Sequence, residues 1–206
     1  ALVIANIHNT SKQQTHLQNV KSAIPSATKP KTTTSSTSSS SDEELILNPI
    51  IDLSGWQLPQ DIDYDVLSNH ISGAIVRVFG GSQISKDSNA ASSNGIDKSF
   101  KTHIKELKKR DVPVAVYSYA QGTSVKEMKE EARIFYKNAS PYKPTYYWID
   151  VEEETMSNME EGVQAFLAEL KRLGAEKVGL YIGAYFMLEQ EVSTKNFDAV
   201  WIPAYG

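Results

Sequence analysis

The chain contains no cysteine, which excludes a disulfide framework and any thiolate metal site. Its four histidines, His8, His16, His70 and His103, form no tight ligand pair, so no metal and no cofactor is expected from them. No run of about 18 apolar residues occurs, which leaves no segment able to span a membrane as a helix. Neither GxGxxG nor GxxxxGKS/T follows a strand-like segment, so a nucleotide is not an expected partner. Basic residues number 21 against 25 acids and form no stripe, which argues against nucleic acid.

What is present divides into two textures. Residues 32–41 read TTTSSTSSSS, ten hydroxyl residues in a row, after a stretch holding Pro25 and Pro30. Such a segment buries no apolar surface and is expected to be a disordered linker. Residues 1–47 therefore read as an N-terminal tether. The opening ALVIAN is short and apolar and fits the remnant of a signal peptide or anchor at 1–5, with a membrane anchor upstream of residue 1. A plain chain boundary fits it equally well. The tether points to an extracellular or cell-surface domain, and a monomer is expected.

From residue 48 onward, apolar runs alternate with helix patterns. PIIDLSGW, GAIVRVFGG, VPVAVYSYA, YYWIDVE, KVGLYIGAY and DAVWIPAY read as strands rich in β-branched and aromatic residues. DYDVLSNHI reads as a short helix. Ile96, Phe100, Ile104 and Leu107 give a second helix its face. Residues 124–140 make a third, with Thr123 or Ser124 as N-cap, and residues 158–174 a fourth, ending at Gly174. Alternating strands and helices imply right-handed crossovers and a parallel sheet. The α/β class is thereby set, and both a barrel and a doubly wound open sheet fit it.

The chemistry concentrates at YYWIDVEEET. Alternation along a strand puts Trp148, Asp150 and Glu152 on one face and Ile149 and Val151 on the other. In the first strand Asp52 opposes Ile51 and Leu53 in the same way. Two strands thus carry acids to the same carboxyl-terminal rim, where barrel active sites sit. Glu153 and Glu154 fall past the strand, where a solvated role is expected. Converging acids fit a cage for a hard cation or glycoside hydrolysis. The aromatics Trp56, Tyr117, Tyr119, Trp148, Tyr181, Trp201 and Tyr205, all on or just after strands, favour sugar. Two acids two positions apart on a strand lie about 7 Å apart at Cα, close enough for one charge to raise the other's pKa. Glu152, nearer the mouth, is the expected proton donor, and the deeper Asp150 is expected to stay ionised.

The set PIIDLSGWQ, YYWIDVEEET, KVGLYIGAY and DAVWIPAYG resembles glycoside hydrolase family 25, the N-acetylmuramidase lysozymes of bacteria and phages, over residues 48–206. The resemblance implies a (β/α)5(β)3 TIM-like barrel, here without its last two strands. It implies cleavage of the β-1,4 bond from N-acetylmuramic acid to N-acetylglucosamine in cell-wall peptidoglycan, with retention of configuration. The family's acid matches Glu152. Its companion aspartate matches Asp150, which would orient and stabilise the substrate's own 2-acetamido group as nucleophile. The aspartate of its first-strand DxSxxQ pattern matches Asp52. Arg77 matches a basic residue facing the site, and Tyr117, Tyr119, Tyr181, Trp201 and Tyr205 match an aromatic rim for substrate. Two other readings stay open: a non-catalytic glycan-binding or scaffold barrel, and a hydrolase of chitin-type N-acetylglucosamine polymers. The polar stretch Gly80 to Gly95, after the second strand, rims the mouth as a glycan contact or as plain surface.

Overall fold

The computed structural model describes residues 48–80 and 89–204. The expected tether at 1–47 and the candidate Tyr205 lie outside the described residues. The described chain builds six parallel strands: β1 (Ile50–Leu53), β2 (Gly73–Phe79), β3 (Val114–Tyr119), β4 (Tyr147–Val151), β5 (Val178–Ile182) and β6 (Ala199–Trp201). Their spatial order is their sequence order, and every neighbouring pair is parallel. Between them run α1 (Tyr64–Ser68), α2 (Phe100–Lys108), α3 (Val125–Ala139), α4 (Met159–Leu173) and α5 (Ala184–Glu189).

Each strand serves two different environments because its side chains alternate. Val76, Val78, Val114, Val116, Ile149, Val151, Leu180 and Ile182 pack against Ile104, Leu107, Met128, Phe135, Phe166 and Leu170 of the helices. The opposite face gathers Ile75, Ala115 and Trp148, with Ile50, Tyr117, Tyr146, Ala199 and Trp201 around them. This second face is concave. Ile50 of β1 and Trp201 of β6, at opposite edges of the sheet, line one cavity. In a flat sheet those strands would stand about 24 Å apart, at roughly 4.8 Å per neighbour. The sheet is therefore a curled half-barrel with helices outside.

Local signals account for the helix ends. Ser124 caps α3 by accepting the Glu127 N–H, while Glu127 reaches back to the Thr123 N–H and hydroxyl. Asn158 caps α4, and Gly174 closes it at φ 106°, a left-handed position suited to glycine.

Several boundaries differ from the sequence reading. The helix expected from Ile96 begins only at Phe100. Ile96 pairs with Phe79 instead, and Asp97 takes the Ser99 N–H with its side chain. The strand expected through Glu152 ends at Val151, so Glu152 is the first residue beyond β4. The strand expected to reach Tyr185 stops at Ile182, and its remainder opens α5. The last strand is three residues long, shorter than DAVWIPAY suggests.

Candidate active site

The DxSxxQ run of the first strand folds into a closed turn. Gln57 Oε1 accepts the Ser54 N–H at 2.9 Å and the Ser54 hydroxyl at 3.2 Å. The Gln57 N–H returns to the Ser54 carbonyl at 3.1 Å. This fixes the chain two residues beyond Asp52, which stands on the concave face opposite Ile75. The same Ser54 carbonyl accepts His103 Nε2–H at 3.1 Å, and the Tyr64 hydroxyl donates to His103 Nδ1 at 2.6 Å. His103 is fully buried, and burial holds its pKa below the ordinary histidine value, so it stays neutral. Tyr64, desolvated beside Glu106, is pushed up to about 12 and remains a donor.

A second brace comes from Asp97, which the sequence reading did not single out. Its Oδ2 accepts Gly55 N–H at 2.7 Å and Arg77 Nε–H at 3.0 Å; its Oδ1 accepts Ser99 N–H at 2.8 Å. Both members of the Arg77–Asp97 pair are buried. One carboxylate thus ties the end of β1 to the arginine of β2. Gly55 is required here, because a Cβ would lie 2.2 Å from the Ala90 carbonyl oxygen. The segment expected as a surface loop therefore ends in a docked piece, with Ala90 and Ala91 fully buried. No local sequence motif marks Asp97, whose Gly55 partner lies 42 positions away.

Arg77, Tyr117, Tyr119, Asp150, Tyr181 and Trp201 all stand on the concave face by strand register. Asp150 is buried, and burial raises its carboxyl well above the usual aspartate range. The Glu152 charge and its hydrogen bond to Asp150 add to this, as does the Asp52 charge, and Arg77 opposes it. Acids from β1 and from the end of β4 therefore act on one space. The sequence reading leaves the charge on Asp150. Desolvation and the neighbouring acids oppose that charge, and Arg77 favours it. Glu152 is exposed, and its hydrogen bond to Asp150 joins the buried carboxyl to solvent. Asp150 Oδ1 and Arg77 Nη2 are both buried without a hydrogen-bond partner.

Tyr117 lies among these groups. Burial drives its pKa well up, Arg77 lowers it, and Asp150, Asp52 and Asp97 raise it. Tyr119 is also raised, by burial and then by Glu153, Glu152 and Asp150. Its hydroxyl donates to Glu153, which thereby has a bonding role besides its exposure.

The aromatics form a continuous wall. Tyr181 meets Trp201 edge to face at 4.8 Å between centroids, Trp201 meets Trp148 at 6.2 Å, and Trp148 stacks on Tyr146 at 5.8 Å. A Cβ at Gly179 would come within 2.4 Å of the Trp148 ring, so a bare backbone in β5 makes room for the indole. Beneath Trp148 and Trp201 lies an apolar trough of about 510 Å³. Gly73, Pro113 and Thr145 line it, which places it at the strand starts, away from the carboxylates. Trp56 stands apart, half exposed after β1. No group of acids or histidines among the described residues could hold a metal ion, and the carboxylates bond instead to Tyr119, to Arg77 and to one another.

Comparison with known proteins agrees with this geometry. The family described as glycosyl hydrolases family 25 matches residues 51–206. A solved Streptococcus pneumoniae structure, GHIP, is described as a glycosyl hydrolase 25 and novel virulence factor participating in host cell invasion. It is 58% identical at TM-score 0.75, over 77% of this chain and 69% of that one. The catalytic domain of endolysin ply40, from a phage of Listeria monocytogenes, matches at 24% identity and TM-score 0.65, over 76% and 73%. The modular autolysin LytC of Streptococcus pneumoniae shares the fold at 20% identity and TM-score 0.54, over 71% of this chain and 34% of its own. No curated protein matches the chain. The chain belongs to glycosyl hydrolases family 25.

Proposed function

We propose that the domain is a muramidase that hydrolyses the β-1,4 bond between N-acetylmuramic acid and N-acetylglucosamine in bacterial peptidoglycan. The observation that carries this is the hydrogen-bonded Asp150–Glu152 pair, half buried and half exposed, on the concave face that also bears Asp52 and Arg77. Family membership supports a glycoside hydrolase. The phage endolysin and the autolysin, the latter also solved with a synthetic peptidoglycan ligand, support the wall as substrate.

In this reading the pair holds one proton. Glu152 gives it to the leaving glycosidic oxygen as the bond breaks, and Asp150, left ionised near Arg77, steadies the positive charge that develops on the sugar. The substrate's 2-acetamido oxygen closes onto the anomeric carbon. Water then reopens that ring, returning a proton to Glu152 and retaining the configuration. Asp52 keeps the electrostatics of the pair poised. Tyr117, Tyr119, Tyr181, Trp201 and Tyr205 form the sugar-binding wall. The barrel would be of the (β/α)5(β)3 type, monomeric, and tethered outside the cell by residues 1–47.

Glu152→Gln is expected to abolish release of reducing ends from purified Gram-positive walls while the far-UV spectrum and melting temperature hold. Mass spectrometry of the wild-type digest should find muramic acid at the new reducing end. Undiminished release by the variant would remove Glu152 from its role. Glycan pull-down by the wild type without new reducing ends would favour a binding barrel, and N-acetylglucosamine at the new end would favour a chitin-type substrate.

A further inference from the structure

The loop after β3 is held from beneath by a group that the chemistry above does not use. Glu131, in the second turn of α3, is 4% exposed. Its Oε2 accepts the Gln121 N–H at 3.0 Å, and the neighbouring Gly122 N–H also favours its charged form. The turn is tight, since a Cβ at Gly122 would stand 2.7 Å from the Met128 nitrogen. The Gly122 carbonyl in turn accepts the Thr155 hydroxyl at 2.7 Å. Thr155 closes the run Glu152-Glu153-Glu154-Thr155 that leaves β4. A chain of hydrogen bonds therefore passes from α3, through the β3 loop, to the segment bearing Glu152. Tyr119, just before the same loop, meets that segment again at Glu153.

We propose that Glu131 is a positioning residue for the acid pair: its carboxylate fixes the β3–α3 loop and, through Gly122 and Thr155, the segment that presents Glu152. The inference rests on the reading of Glu152 as the proton donor.

The ionised form is the one that holds. Hydrogen bonds to a carboxylate are roughly twice as strong as those to its neutral acid. Burial pushes Glu131 up to about 7, the two backbone N–H groups lower it, and Glu127 one turn away raises it. The other charged or titratable groups around it are accounted for. Tyr117 and Tyr119 of β3 lie on the opposite face and are driven upward, so they stay neutral. Arg77 of β2 is engaged with Asp97, and Glu169 of α4 with Arg133 and Arg172. Glu152 and Glu153, past β4, face Asp150 and Tyr119. Glu131 Oε1 has no hydrogen-bond partner, so the buried charge strains the fold that it organises.

A merely structural glutamate would lose stability and turnover together on substitution; this one should not. In the full chain, Glu131→Gln is expected to raise the melting temperature at pH 8 and to lower kcat there. The loss should be about tenfold, short of the roughly hundredfold attached to a misplacement of about 1 Å. KM should stay within about twofold, since the change touches positioning and not uniform binding. At pH 5, where wild-type Glu131 is itself protonated, the two enzymes should turn over alike. Thr155→Val should reproduce the kcat loss at pH 8 without the gain in melting temperature, and the double variant should lose no more. Equal turnover at pH 8, a gap that persists at pH 5, or additive losses would overturn the inference. A wild type that releases no reducing ends defeats the muramidase reading instead. Amide NMR then judges the relay alone. Gln121, Gly122 and Thr155 should titrate with one midpoint near 7 in the wild type, and none should in Glu131→Gln. Independent midpoints, or a silent Thr155, would reject the relay.

Discussion

Tyr64→Phe deletes the hydroxyl that donates to His103 Nδ1 and leaves a buried acceptor unpaired. A loss of about 1–3 kcal/mol is expected by denaturant unfolding, the penalty for a buried polar group without its partner. Asp97→Asn is a harsher change. It leaves the Arg77 guanidinium buried without its counter-ion and weakens the anchor on Gly55. That should cost about 3–5 kcal/mol, read as a fall in the urea midpoint at unchanged slope. Arg77 also lowers Asp150, so its charge bears on the pH profile. Activity that needs ionised Asp150 fails as pH falls through that residue's pKa. Arg77→Gln should therefore move the acid limb of kcat/KM to higher pH, and an unmoved limb would mean the two residues do not communicate. At this scale the acids were readable in advance. Strand alternation assigns Asp52 and Asp150 to one face without coordinates. Asp97 was not readable, because its partners are backbone N–H groups and one arginine brought near by the fold, and no pattern of side chains encodes them. The upward push on the Asp150 carboxyl was not readable for a related reason: the burial that causes it is a property of the assembled sheet.

The elements owe their boundaries to short-range chemistry that competes with periodicity. Ile96 has the spacing of a helix face, yet the helix starts at Phe100 because Asp97 is spent on three donors and Ile96 on a bridge to Phe79. Where a cap is local the sequence suffices. Ser124 and Glu127 begin α3, and Gly174 ends α4. Ser124→Ala should destabilise the domain by about 1 kcal/mol, measured by thermal unfolding. α3 and α4 are also joined by Glu169, which bonds Arg133 across the interface and Arg172 on its own helix. Those arginines hold its pKa at about 2. A depressed carboxylate contributes stability above its unfolded value of about 4.5, and the contribution fades as pH falls toward 2. The acid denaturation of Glu169→Gln should accordingly be less steep than that of the wild type between those limits.

Across the whole molecule the buried titrating groups pull in opposite directions. Asp150 and Glu131 are raised, so the folded state prefers their protonated forms and loses stability as pH climbs; for Glu131 the window runs from 4.5 to about 7. His103 is lowered, so the fold loses stability as pH drops below 6.5 and the free imidazole charges. Thermal melts from pH 4 to 9 should peak on the acid side of neutrality, and a maximum above pH 8 would contradict this balance. The parallel order of the sheet gathers the carboxylates at one end and leaves the other end apolar, so one curved surface carries two unlike chemistries. The contact between Gly55 and Ala90 reaches beyond the site it braces. A protein engineer who grafts a new recognition segment after β2 has to keep residues 89–97 whole. Cutting within 89–97 would remove the strut that aligns the first strand, and the graft would inherit a crippled enzyme whatever sequence it carried.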